Sequence, residues 1–329
     1  MSLNFLNIFN NILNPLIIIL PILLAVAFLT LLERKVLGYI QYRKGPNLIG
    51  PIGLLQPIAD GLKLFIKENF SPSTANLFIF YMSPSIFFFI ALFLWGVAPL
   101  SESGLNINLS LLFIIALSSL SVYPLLTAGW ASNSKYALLG AIRGAAQMIS
   151  YEVSLSLILL PIIFIIGTWN LNLFNTFNSF NLWLIIPCPL LFIMWFISTL
   201  AETNRSPFDL AEGESELVSG YNVEYSGAPF ALFFLGEYTN IIFINLISVL
   251  IFLGNNSPTN NLLINVINIT IKTSCIIFIF LWIRASFPRV RYDQLMMLMW
   301  KNFLPLILGL LNFYYILIII SGNLSSYYN

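Results

Sequence analysis

An all-α polytopic membrane protein of about eight transmembrane helices is the fold this sequence predicts, and three observations predict it. Hydrophobic residues make up 59% of the 329-residue chain and charged residues only 8%, far too few charges to clothe a soluble globule. The apolar residues gather in runs that meet the roughly 20 residues a helix needs to cross about 30 Å of hydrocarbon. Stretches such as PLIIILPILLAVAFLTLL are apolar all round, unlike the alternating segments of about ten residues that build a transmembrane β-barrel.

Taken in order, the spans lie near residues 15–32, 77–100, 109–131, 148–169, 182–201, 228–254, 262–283 and 303–321, and residues 1–329 read as a single membrane domain. Pro21, Pro84, Pro124, Pro161 and Pro187 fall inside these runs. Kinked helices are expected, because neighbouring helices in a bundle re-satisfy the carbonyls that proline frees. In the first loop, Ile58, Leu62, Phe65 and Ile66 recur at helical spacing opposite Asp60, Lys63 and Lys67. That pattern predicts an amphipathic helix in the interface plane. It serves either as a surface anchor or as a wall along which a lipid-soluble ligand slides in from the bilayer.

Thirteen of the fourteen Lys and Arg residues fall in odd-numbered loops, and the remaining one, Lys272, lies within a span. By the positive-inside rule the odd loops share the cytoplasm-equivalent side and both termini face the other. The first 32 residues carry no charge, so neither the basic start of a secretory signal nor an Arg-rich presequence is visible.

The chain has no histidine, and its two cysteines, Cys188 and Cys275, sit in different spans. Bis-histidine haem, four-thiolate iron–sulfur ligation and ordinary zinc sites are thereby excluded. Both cysteines read as small buried hydrophobes. There is no Gly-rich nucleotide fingerprint and no credible Ser/His or Cys/His nucleophile arrangement. If the chain takes part in redox chemistry, a partner holds the electrons.

The fifth loop is the chemical anomaly. Residues 200–227, LAETNRSPFDLAEGESELVSGYNVEYSG, hold six of the thirteen acids, Glu202, Asp209, Glu212, Glu214, Glu216 and Glu224, against one base, Arg205. Like charges three and four residues apart repel, and near a low-dielectric boundary each must be paired, wetted or protonated. A solvated surface loop is the plainer reading. Against it stand the loop's aromatic and aliphatic residues and the bases of other loops on the same side. The seventh loop, with Arg284, Arg289 and Arg291, is a candidate source of cations for it, as is Arg34 in the first. Inside the spans lie three ionisable residues, Glu152, Glu237 and Lys272. A charge at mid-membrane costs about 2.5–3.5 kcal/mol on insertion scales, and such residues usually mark ion or proton routes. Glu152 reads as close enough to its helix start to snorkel. For Glu237 and Lys272 the plainer alternative is mutual neutralisation of buried charge.

The blocks LLERKVLGYIQYRKGPN, QMISYEVSLSLILL, AETNRSPFDLAEGESELVSGYNVEYSG and FLWIRASFPRVRYDQLMMLMWKNFLP together resemble the subunit 1 family of respiratory complex I, the mitochondrial NADH:ubiquinone oxidoreductase. The resemblance spans about residues 15–321, and the Asn-rich stretches near 170–181 and 255–261 carry none of it. It implies a multi-pass subunit of the mitochondrial inner membrane, with odd loops in the matrix and termini toward the intermembrane space. Ubiquinone would be its bound substrate, with no metal, haem, flavin or iron–sulfur cluster ligated by the chain itself. Its implied partners are the quinone-module subunits of the peripheral arm, including the holder of the terminal iron–sulfur cluster, the adjacent small membrane subunits, the antiporter-like subunits and membrane lipid, but no nucleic acid. Residues similar to the family's quinone chamber are Arg34, Asp209, Glu212, Glu216 and Arg284, and those similar to its proton path are Glu152, Glu202, Glu224 and Glu237. The acids would sense the charge of reduced quinone and the membrane glutamates relay it toward proton-pumping neighbours.

Two other classes fit parts of the sequence. An autonomous cation transporter would also carry buried Glu and Lys, although no internal repeat of the kind such folds show is visible. A membrane anchor of a hydrogenase-like complex would need no quinone.

Overall fold

The computed structural model describes residues 2–99, 107–174, 183–211, 213, 220–254 and 262–321. Regular structure among them is helical throughout. Among the described residues six helices are long and apolar enough to cross a membrane: Leu77–Trp95, Ser110–Ala131, Lys135–Ile166, Ala228–Leu253, Ile264–Ser286 and Tyr292–Ile320. Helix α1 (Ser2–Ile40) runs for 39 residues and carries the charged row Glu33, Arg34, Lys35 in its last two turns.

The first loop holds α2 (Gln56–Ile66), with Pro57 in its first turn, where a missing N–H costs nothing. Ile58, Leu62, Phe65 and Ile66 are all exposed, so the apolar face anticipated from the sequence lies uncovered within this chain.

Helix α3 (Leu77–Trp95) contains Pro84. Proline cannot donate to the carbonyl four residues back. That carbonyl, on Phe80, instead accepts the Ser83 hydroxyl at 3.3 Å. The third run breaks at Ser121 into α4 (Ser110–Leu120) and α5 (Val122–Ala131). Pro124 removes the donor for the carbonyl of Leu120, and the chain tightens there, with Ser121 N–H and Oγ both donating to the Ser118 carbonyl at 3.0 and 2.6 Å.

Helix α6 (Lys135–Ile166) begins thirteen residues before the 148–169 run that hydropathy marks. Its first turns carry the small residues Ala137, Gly140, Ala141, Gly144 and Ala145, all buried. Small residues let backbones approach closely. A side-chain carbon on Gly140 would stand 2.9 Å from Gly220 Cα, so the fifth loop lies directly on this stripe.

The fifth run is helical only over α7 (Pro189–Glu202), 14 residues that start at a proline in the first turn. Pro187 precedes the helix instead of kinking it. Helix α8 (Ala228–Ser248) continues into a π turn over Val249–Leu253. After α9 (Leu262–Ser286), a last rod comprises α10 (Tyr292–Met297), a π segment over Leu298–Phe303 and α11 (Leu304–Ser321). Helix α6 is central: α4, α5, α7 and α11 pack on it, while α8 packs on α3, α1 and α9. The larger apolar core joins α6, α7 and α8 through Ile158, Leu191, Trp195 and Phe252, and a smaller one gathers Phe80, Phe87, Tyr221, Tyr225 and Phe233 beneath the end of the fifth loop.

Candidate functional site

Two adjoining features concentrate the polar chemistry, and Glu237 of α8 belongs to both. The first is a buried ion cluster. Glu33, two turns before the end of α1 and 5% exposed, accepts the Tyr238 hydroxyl and the Arg284 guanidinium. Arg205, in the turn after α7, lies between two carboxylates, with Nη1 3.9 Å from Glu33 and Nη2 3.9 Å from Glu237. Its guanidinium carbon sits 4.5 Å from the centroid of the Tyr238 ring, where the ring face attracts a cation. Glu237 also accepts the Tyr221 hydroxyl. Two arginines therefore face two carboxylates, with tyrosine donors filling remaining lone pairs, which is the arrangement that lets buried charge persist.

The backbone around this cluster is fixed from α6. Gln147, fully buried, donates through Nε2 to the carbonyls of Ala201 and Phe208, each at 2.8 Å. Tyr225 stacks on Phe80 at 4.1 Å and shares a 3.2 Å hydrogen bond with Ser83. Burial pushes its hydroxyl up to about 12, an effect the Ser83 contact only partly offsets. The tyrosine stays neutral and acts as a structural anchor.

The second feature is an internal cavity of about 70 Å³, bounded by α3 to α8. A water needs roughly 10–15 Å³ of such space, so there is room for several. Three carboxylates reach it from three helices: Glu152 on α6, Glu202 at the end of α7 and Glu237 on α8. Asn204 and Asn240 add side-chain oxygens, and these, with Glu202 Oε2, are buried without a hydrogen-bond partner among the described residues. Most of the remaining lining is apolar, including Leu94, Leu155 and Trp195. The cavity is thus an apolar space with a cluster of polar groups at one place, and those groups are the partners a water would need.

The residues singled out in the sequence distribute as follows. Glu152, Glu202 and Glu237 share the cavity, whereas Glu224 is half-buried in the turn before α8, away from its lining. Glu152 is not near a helix start, since α6 begins at Lys135. Arg284 pairs with Glu33 and Arg34 with Asp60 at 2.6 Å, so neither compensates a described fifth-loop acid as expected. Arg34 stands in the last two turns of α1, which pack on α2, and meets the carboxylate that helix carries. Asp209 takes its cation from the seventh loop through Arg289, 3.3 Å away. Glu212 and Glu216 lie outside the described residues. Among the described residues no buried acid pairs with Lys272. Its Nζ donates to the carbonyls of Leu253 and Gly254 at 3.1 and 2.7 Å and lies 5.1 Å from the Trp183 ring centroid.

Sequence reasoning passed over Glu33, Arg205, Tyr221 and Tyr238. Arg205 had a visible signal as the one base among six acids. Glu33 had a fainter one, since it continues the buried row Ile22, Val26 and Leu29 at helical spacing. Among the described residues no three His, Cys, Asp or Glu side chains gather where they could hold a metal ion.

These features define a multi-helix membrane protein with a charge cluster opening on a buried acidic cavity. The protein family described as NADH dehydrogenase matches residues 13–315. The chain is 60% identical over 294 residues to NADH-ubiquinone oxidoreductase chain 1 of Paracentrotus lividus, covering 89% of this chain and 91% of that one. It is 58% identical over 306 residues to the same chain of Patiria pectinifera, with 93% and 94% covered, and 59% identical over 299 residues to that of Carassius auratus, with 91% and 92% covered. The chain belongs to the NADH-ubiquinone oxidoreductase chain 1 family.

Proposed function

We propose that this chain is a membrane-arm subunit of a proton-translocating NADH:ubiquinone reductase in the mitochondrial inner membrane. In this reading it forms much of the ubiquinone chamber and couples quinone reduction to proton movement, while the redox centres sit in partners. The observation that carries the reading is the double membership of Glu237, which meets Arg205 in the ion cluster and Glu152 and Glu202 in the cavity.

Reduction adds two electrons to the quinone and creates a demand for protons. A reduced, anionic headgroup near the loop arginines competes with Glu33 and Glu237 for positive charge. Any loosening of Arg205 from Glu237 makes that carboxylate a better proton acceptor, and the cavity carboxylates then stand as successive acceptors within one hydrated space. Arg34, Asp209, Glu212, Glu216 and Arg284 are assigned to the chamber, and Glu152, Glu202, Glu224 and Glu237 to the path. Helix α2, whose apolar face lies uncovered, serves as the wall along which the quinone tail enters.

In the same reading the six long apolar helices are joined by α1 and α7 to make eight crossings. Helix α7 is short, but Leu191, Met194, Trp195 and Phe196 are buried, and non-helical backbone at membrane depth is tolerated where protein surrounds it. The odd loops face the matrix, where the peripheral-arm subunits and the holder of the terminal iron–sulfur cluster dock. Small membrane subunits and antiporter-like subunits adjoin the helices.

A photoreactive ubiquinone analogue applied to the assembled complex tests the assignment. Label displaced by native quinone is expected on α2 and on residues 203–211. Labelling confined to other subunits would refute the chamber.

A further inference from the structure

Helix α8 carries Glu237 and Tyr238, yet its own sequence provides no cap. Its N-cap position is Gly227, at φ +65°, which has no side chain to accept an N–H. Pro229 in the first turn has no N–H, so the Ala228 amide is one of the few donors this helix start must satisfy. The acceptor comes from the first loop: Asn69 Oδ1 receives the Ala228 N–H at 3.1 Å, across 159 positions of sequence. A second bond lies beside it, Phe70 N–H to Ser226 Oγ at 3.0 Å. The strap is also pressed against Gly227. A side-chain carbon there would stand 2.5 Å from Asn69 Oδ1 and 3.1 Å from the Lys67 carbonyl.

The strap starts where α2 stops. Ile66 ends that helix and Lys67 turns to extended backbone, so three residues separate α2 from the first turn of α8. Upstream on α2, Asp60 holds Arg34 and receives Gln56 Nε2 at 2.9 Å. Downstream on α8, Glu237 stands nine residues beyond Ala228, about 13 Å along the axis at 1.5 Å per residue. A cap fixes how the first turn of a helix is oriented, and over two and a half turns that orientation sets where Glu237 and Tyr238 meet Arg205 and Glu33.

We propose that Asn69 is a positioning residue that locks interfacial helix α2 to the helix carrying Glu237, by capping that helix from the first loop. The inference rests on the chamber reading, because it gives a displacement of α2 by arriving quinone a short mechanical route to the ion cluster.

The test uses the assembled complex. Asn69→Ala should lower quinone turnover about threefold to tenfold, the range a lost cap shifts an equilibrium. The KM for quinone should change less than about twofold, since no ligand contact is removed. Amide hydrogens of residues 228–231 should exchange faster in this variant, while NADH oxidation by an artificial electron acceptor stays as in the wild type. Asn69→Asp keeps an acceptor oxygen at the positive end of the helix and should restore turnover. Unchanged turnover in assembled Asn69→Ala overturns the proposal, as does equal impairment of both variants. Failure of Asn69→Ala to assemble beside a fully normal Asn69→Asp also overturns it, by reducing Asn69 to a folding aid. The photolabel separates this from the chamber reading. Loss of label from the wild-type chain faults the chamber, whereas retained label with unmoved turnover in Asn69→Ala faults the coupling alone.

Discussion

Arg205 and Glu237 face each other across 3.9 Å with about a tenth of each side chain exposed, and Arg205 keeps the same distance from Glu33. One guanidinium thus serves two carboxylates that lie 204 positions apart. The arrangement is neutral only as a set that includes Arg284, so the members should respond to mutation very unequally.

Arg205→Met leaves two buried carboxylates sharing one cation. Breaking a buried pair in this way costs about 3–5 kcal/mol, and the variant is expected to fail assembly or to inactivate at markedly lower temperature. Tyr238→Phe keeps the ring over Arg205 and removes only the donor to Glu33, so its cost should be about 1–3 kcal/mol. Thermal inactivation of the assembled complexes measures both, and equal effects would mean that the cluster does not act as a charge set.

Glu237→Gln retains shape and hydrogen bonding while removing the titration. The change leaves Arg205 with one buried carboxylate fewer, so the yield of assembled complex should fall; in the complexes that do assemble, electron entry should be spared, and coupled quinone turnover and proton pumping should fall together by at least about tenfold, the low end of what loss of a proton-transferring group costs. Normal pumping per electron at normal turnover would leave Glu237 a structural partner of Arg205 and Tyr221.

Lys272→Met discriminates between a relay and a staple. The amine holds two carbonyls where the π turn of α8 ends, so its loss should destabilise the complex by about 1–3 kcal/mol and leave the proton-to-electron ratio untouched. A changed ratio in a normally stable variant would place Lys272 on a proton route.

Sidedness can be read with cysteines introduced at Lys44 and Arg291. Both should react with an impermeant thiol reagent only from the face that carries the odd loops, as the charge distribution demands. Labelling of the two sites from opposite faces would dismantle the proposed topology.

Hydropathy located the apolar runs, because membrane burial selects residues by composition. It could not see where helices begin or break. Lys135 to Gln147 is helical although it mixes charges and small residues, since its buried face packs against protein, where Gly and Ala serve close approach better than bulk does. The break at Ser121 follows from one missing donor at Pro124, a local event that a window average erases. The acids of the cavity were legible because a charge within an apolar run stands out. The ion cluster was not, because Glu33 sits among the charges of a loop start, and only the meeting of α1, α8 and α9 sets it apart from its neighbours. Pairing between distant loops was also out of reach: Arg34, Arg284 and Arg289 were visible as cations, but which carboxylate each meets depends on the packing.

Glu33 is synthesised long before its partners. Arg205, Tyr238 and Arg284 leave the ribosome 172, 205 and 251 residues later, after most of the membrane helices have already emerged. In the interval the first helix carries, in its last two turns, a carboxylate that lacks the arginines it meets in the finished fold, which favours the water-facing boundary. The final seating of α1 is therefore expected late in biogenesis, when α9 delivers Arg284. A nascent chain halted before residue 284 should hold its first helix loosely, because the partner that closes the charge set has yet to arrive.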